Sequence, residues 1–111
     1  MASLVVIWWR DIPAQVLAKD GRRSEKVILP GRFEAAIDRA AVKAGKTAMN
    51  DYVAEWRRES RACGDDLGAE ATAEAGRLDT LYPQDILNRL VEAGGIAPAV
   101  DGGTASKGDA S

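Results

Sequence analysis

The sequence contains no histidine and only one cysteine, Cys63, among its 111 residues. A single cysteine excludes an intramolecular disulfide, and without histidine the chain lacks the commonest zinc ligand and the commonest general base. A thiolate–imidazole pair for nucleophilic catalysis cannot form within the chain either. We therefore expect no metal and no cofactor, and we favour a non-catalytic protein over a stand-alone enzyme.

The sequence also lacks a long hydrophobic run and a dominant charge. The apolar run over residues 4–9 is too short for a signal sequence or a membrane span, so we expect a cytoplasmic protein without a membrane partner. The net charge of −2 and the pI near 5.1 argue against nucleic acid, which requires a large basic footprint. Residues 1–61 nevertheless carry twelve Lys and Arg against eight Asp and Glu, whereas residues 62–111 carry three against nine. This asymmetry favours an internal contact or a protein partner.

The length of the chain allows one domain. We predict a single α+β domain over residues 1–95, because a chain of this size buries enough surface for one hydrophobic core. Residues 96–111 are rich in glycine and serine and poor in apolar side chains. Such a composition does not offset the entropy of ordering, so this segment is predicted to be a disordered tail.

The first thirty residues have the composition of a β-meander. The β-branched and aromatic residues at 4–10 predict a buried strand, and Pro13 predicts a bend or bulge after it. A second strand is expected over residues 14–18. Asp20 and Gly21 are typical of a hairpin turn, and a third strand is expected to end at residues 27–29. The pattern predicts a three-stranded antiparallel meander.

After residue 31 the period of the apolar residues changes to that of helices. Phe33, Ile37 and Ala40 predict an amphipathic helix that ends at Gly45, and a second is predicted over residues 48–60 with Met49, Val53 and Trp56 on its apolar side. A weak helix is predicted over residues 69–78 and a stronger one over 83–93. The expected fold is therefore α+β, with the meander followed by two amphipathic helices and a further C-terminal helical segment.

Seven residues are candidates for a binding site. The bend places two indoles, an ion pair and an amide close together in sequence, and the second predicted helix adds two arginines; the seven are Trp8, Trp9, Arg10, Asp11, Gln15, Arg57 and Arg58. One interpretation is structural, with the tryptophans packed and the charged residues fixing the bend by hydrogen bonds. The other is a surface that recognises an anionic or planar group. The sequence leaves both open.

Cys63 is the only nucleophilic thiol in the chain. Asp65 and Asp66 follow it closely, and their negative charge would raise the pKa of the thiol. We therefore expect Cys63 to be unreactive, and no catalytic residue is predicted.

Three stretches carry a resemblance to a known family. They are Trp9-Arg-Asp-Ile-Pro-Ala-Gln-Val16, then Leu29-Pro30 with Phe33 and Ala36-Ile37-Asp38, and finally Tyr52 with Ala54-Glu55-Trp56-Arg57-Arg58. In these the chain resembles the small bacterial virulence factor family, whose members are stand-alone proteins or a segment of the larger conserved virulence factor C proteins. The resemblance places a family module at residues 3–60, and the helices predicted at residues 67–95 form a helical extension outside it. It implies no catalytic residues, and it implies an accessory role in one-carbon or iron–sulfur metabolism.

Two hypotheses about function follow. The first is a non-catalytic accessory or interaction protein that acts with a cytoplasmic partner enzyme, because exposed Trp and Arg are typical of interface hot spots. The second is a small-ligand subunit that completes the active site of another subunit, with Arg10, Gln15 and Arg57 holding an anionic or folate-like group.

Overall fold

The computed structural model describes residues 1–97, which form four strands and four helices. In chain order they are β1 (Ser3–Trp9), β2 (Ile12–Asp20), β3 (Arg23–Ile28), α1 (Gly31–Ala44), α2 (Met49–Ala54), β4 (Trp56–Ala62), α3 (Leu67–Leu81) and α4 (Gln84–Glu92). The α+β class is confirmed. The predicted tail falls almost entirely outside the described residues. Across residues 1–97 no helix is both long enough and apolar enough to cross a membrane.

The strands form one antiparallel sheet in the order β3-β2-β1-β4. The predicted meander is therefore present, with Gly21 at positive φ in the second turn. Ile7 pairs with Gln15 while Trp8 pairs with Pro13, so Ala14 is an extra residue on β2. This β-bulge lies where Pro13, which has no N–H to donate, was expected to interrupt the regular pattern.

The second predicted helix is wrong over half its length. α2 ends at Ala54, and the chain then pairs with β1 as strand β4. Arginine and glutamate are good helix formers, but the apolar strand β1 needs a second neighbour for its backbone groups, and that tertiary requirement overrides local propensity. The predicted apolar stripe is not buried either, since Met49 and Val53 are both exposed.

The other helices match their predicted apolar faces. Phe33, Ile37 and Ala40 of α1 are buried, and Leu87, Leu90 and Val91 of α4 are buried as well. α1 and α4 pack against each other, while α3 packs on β2 and β3. The apolar edge of α4 therefore belongs to the core of this chain.

Candidate interaction surface

The turn between β1 and β2 consists of Arg10 and Asp11. Arg10 has φ of 54°, a left-handed conformation that is unusual for a residue with a side chain. Its N–H donates to the Glu55 carbonyl at 3.1 Å, and the Asp11 N–H donates to the Gly95 carbonyl at 2.8 Å. Backbone hydrogen bonds to two segments distant in sequence thus hold the turn in this strained conformation.

The guanidinium of Arg10 is directed into the protein, and only 14% of its side chain is exposed. Nη1 donates to the Gly94 carbonyl at 3.0 Å, and the guanidinium carbon lies 5.5 Å from the centre of the Trp9 ring. Nε lies 3.2 Å from Glu55 Oε1, close enough for an ion pair but without the alignment of a hydrogen bond. Arg10 therefore connects the turn to the segments before β4 and after α4.

The strain at Arg10 leads to a stability prediction. Replacing Arg10 by glycine or by alanine removes the same guanidinium contacts, but only glycine adopts positive φ without cost. We expect the Arg10→Gly variant to be more stable than Arg10→Ala by about 1 kcal/mol, measured by urea denaturation. Asp11 has no positive φ, so Asp11→Gly should be no more stable than Asp11→Ala. If the Arg10→Ala variant were the more stable of the two Arg10 variants, the backbone at Arg10 would not be strained.

Arg57 of β4 covers the same turn from the other side. Its Nε donates to the Arg10 carbonyl at 2.9 Å, and its Nη2 lies 3.2 Å from Asp11 Oδ1. Its guanidinium carbon lies 5.0 Å from the centre of the Trp8 ring. The other Asp11 oxygen accepts the N–H of Ala97 at 2.6 Å. Within residues 1–97, the Nε1 of Trp8 is buried and has no hydrogen-bond partner.

Five of the seven candidate residues therefore lie together, namely Trp8, Trp9, Arg10, Asp11 and Arg57. They bind one another and nearby backbone groups, and Trp9 is fully buried. This arrangement corresponds to the structural interpretation of the bend.

The remaining two candidates lie on the opposite face of the sheet from Arg57. Gln15 pairs with Ile7 on one side and Ile28 on the other, and Arg58 also pairs with Ile7. Because successive strand residues alternate between faces, Arg57 and Arg58 diverge. The prediction of one helix edge carrying both arginines fails for this reason.

This second face, here called the open sheet face, has an apolar centre. Its residues include Val5, Ile7, Gln15, Leu17, Lys19, Lys26, Ile28, Trp56 and Arg58. Trp9, which pairs with Trp56, lies on the same side of the sheet but is fully buried. Val5 is buried, Ile7 and Leu17 are half-buried, and Ile28 is 69% exposed. The helices with the main contacts to the strands are α3, which packs on the other face, and α1, which reaches a pocket at one end of this one. The sequence signal for this face is the alternation of side chains along β2 and β3.

The charged residues of the strands are divided between the two faces. Asp20, Glu25 and Glu59 lie on the face covered by α3, together with Arg23, Arg57 and Arg61. The open sheet face carries Lys19, Lys26 and Arg58 and no carboxylate from a strand. In the part of the chain that the structure describes, none of these three cations forms an ion pair. The open sheet face thus combines the exposed Ile28 and the half-buried Ile7 and Leu17 with a cationic rim.

A pocket of 470 Å³, here called the corner pocket, lies at the end of the open sheet face nearest α1 and α2. Its walls include Ile7, Gln15, Ile28, Glu34, Tyr52 and Trp56. The Tyr52 and Trp56 rings meet at 83° with centres 5.9 Å apart. Burial, together with the negative charge of Asp38 and Glu34, raises the pKa of the Tyr52 hydroxyl.

Two further features concern metal ligands and the thiol of Cys63. Among residues 1–97 no group of three or more Cys, Asp and Glu side chains could hold a metal ion. Burial, followed by the charge of Glu70, raises the pKa of the Cys63 thiol, which keeps it protonated and weakly nucleophilic.

Comparison with known proteins gives one match. A family model described as "Virulence factor" matches residues 7–91. The match includes the bend and β4, and it extends through α3 into α4, beyond the stretches at residues 9–58 that carry the resemblance. No curated protein and no solved structure matches the chain.

Proposed function

Because the chain belongs to the virulence factor family, whose name records a phenotype and no reaction, we propose that it is a non-catalytic accessory protein. It binds a cytoplasmic partner protein through the open sheet face. The observation that carries this proposal is an apolar surface, exposed at Ile28 and half-buried at Ile7 and Leu17, beside three cations that lack an ion pair within residues 1–97. The one-carbon or iron–sulfur setting implied by the resemblance belongs to the same proposal.

The charges of the open sheet face specify the partner. An apolar surface surrounded by carboxylates would bury Ile28 and Leu17 and pair with Lys19, Lys26 and Arg58. Complementary charges of this kind guide association and fix the orientation of the two proteins, while the buried apolar and aromatic residues supply affinity. Trp56, at the end of the face, is the aromatic residue best placed to serve as an anchor.

The alternative function, a small-ligand subunit, finds less support in the geometry. Gln15 and Arg57 lie on opposite faces of the sheet, and Arg10 is already paired with Glu55. The three residues named for an anionic ligand therefore do not converge on one cavity.

Purification from the native host tests the proposed function. The tagged chain should retain a specific partner, and the purified partner should bind the Lys26→Glu/Arg58→Glu variant at least about tenfold more weakly, since each reversed interface charge costs on the order of 1 kcal/mol. A matched control reverses two exposed arginines away from the face, Arg22→Glu/Arg89→Glu, which gives the same net charge.

The binding constants decide the matter. Loss of affinity in the face variant alone, with the control unchanged, supports the open sheet face. Equal affinity of both variants for the partner, or the absence of any partner retained by the wild-type chain, would overturn the proposal.

A further inference from the structure

The corner pocket differs in charge from the face around it. Glu34 is the only charged residue among the described residues that line it, and Asp38 lies one turn further along α1. Lys26 and Arg58 of the rim do not line the pocket, although Arg58 pairs across the strands with the lining residue Ile7. Lys46 forms an ion pair with Glu55, with Nζ 3.8 Å from Oε2. Glu34 is therefore the one charged side chain lining the pocket within residues 1–97, and it lies beside a positive rim.

The walls of the corner pocket suit a particular side-chain shape. Ile7 and Ile28 supply apolar surface, and the Tyr52 and Trp56 rings form two nearly perpendicular walls. A long apolar stem packs on such walls, and a cation at its end is attracted both by aromatic rings and by a carboxylate. The volume of 470 Å³ lies within the ordinary range for binding pockets, roughly 300–1,000 Å³.

We infer that the corner pocket binds a lysine or arginine side chain of the partner protein, with the stem between Tyr52, Trp56 and Ile28 and the cation beside Glu34. This inference rests on the proposed function, since the partner supplies the side chain. The partner surface then carries one lysine or arginine that enters the pocket, surrounded by carboxylates that pair with the cationic rim. Opposite charges at the pocket and at the rim fix one orientation of docking, because any rotated arrangement places like charges together.

The pocket can be probed without the partner. N-acetyl-lysine methylamide, and its neutral analogue N-acetyl-norleucine methylamide, are titrated into the ¹⁵N-labelled full chain and followed by NMR. We expect saturable shifts of the Trp56 indole and Gly31 amide signals with the lysine derivative, and at least about fivefold weaker binding of the norleucine derivative.

Variants separate the role of the carboxylate from that of the walls. Glu34 is exposed, so Glu34→Gln should fold normally, and it should weaken lysine-derivative binding about fivefold while leaving norleucine-derivative binding unchanged. Glu25→Gln, which removes an exposed carboxylate from the other face, is the matched control and should change neither. Equal binding of the two derivatives, or no saturable shift at Trp56, would overturn the inference.

The two proposals fail separately. The Lys26→Glu/Arg58→Glu variant keeps every lining residue, so it should still bind the lysine derivative even though it loses the partner. A partner that depends on the rim, combined with a pocket that does not prefer the lysine derivative, overturns only the pocket assignment. Preference for the lysine derivative without a rim-dependent partner overturns the proposed function and leaves only the cation preference of the pocket.

Discussion

Replacing Trp9 by alanine should lower the free energy of unfolding by about 3–5 kcal/mol, the usual cost of removing a buried aromatic side chain. Trp9 is 0% exposed, its indole Nε1 donates to the Tyr52 carbonyl at 2.9 Å, and its ring stacks on Tyr52 with centres 5.7 Å apart. Gly95 packs directly against the same ring: a Cβ atom placed on Gly95 would lie only 3.0 Å from Cζ3 of Trp9. Removing the ring therefore leaves a cavity between β1, α2 and the segment after α4. These three elements cannot all move in to fill it.

Urea denaturation followed by far-UV circular dichroism measures this loss. Trp9→Phe keeps most of the ring and removes the hydrogen bond, so it should cost clearly less than Trp9→Ala. Trp56→Ala is the second comparison, because Trp56 is only partly buried and should cost no more than about 2 kcal/mol. A Trp9→Ala loss no larger than that of Trp56→Ala would show that the ring is not central to the core.

The meander was predictable because its determinants are local. The apolar run of β1, the proline after it and the glycine of the second turn each restrict the backbone within a few residues. The same holds for α1 and α4, whose apolar residues recur at helical spacing. Only β4 depends on a partner distant in sequence, since it forms by pairing with β1. A segment such as Trp-Arg-Arg-Glu-Ser-Arg suits an exposed helix equally well, so propensity alone could not distinguish the two.

The error over β4 also determined which candidate residues were grouped. On a helix, Arg57 and Arg58 would be about 100° apart around the axis, whereas strand alternation sends them to opposite faces of the sheet. The bend residues did come together as their proximity in sequence indicated. The open sheet face was missed because its three cations lie on three different strands, and its existence requires the sheet order.

A buried carboxylate in α3 gives the second prediction. Only 6% of the Glu74 side chain is exposed, and Arg77 Nε donates to it at 2.9 Å while Arg61 Nη2 lies 3.4 Å away. The hydrogen bond and charge of Arg77, followed by those of Arg61, lower the pKa of Glu74 below its ordinary 4.5, although burial opposes them. Glu74→Gln should therefore lower the free energy of unfolding at pH 7 by about 1.5–3 kcal/mol, the range for hydrogen bonds to charged groups.

The effect of Glu74 should disappear in acid. Because its pKa is lower in the folded chain than in the unfolded one, the unfolded chain binds the proton first as the pH falls. The stabilisation is then complete at pH values above the unfolded pKa, near 4.5, and is lost as the pH falls through the folded pKa. Equilibrium denaturation from pH 7 to pH 3 should show the wild-type and Glu74→Gln curves converging at the acid end.

A control on the same helix separates the effect of the Glu74–Arg77 ion pair from the general effect of removing a carboxylate. Glu70→Gln changes the same chemical group in α3, but no ion pair of Glu70 is present within residues 1–97, so it should cost less than about 0.5 kcal/mol at pH 7. Arg77→Gln leaves Glu74 with Arg61 alone and should raise its pKa, which moves the loss of stability to higher pH. A Glu74→Gln difference as large at pH 3 as at pH 7 would mean that packing, and not charge, holds this side chain in place.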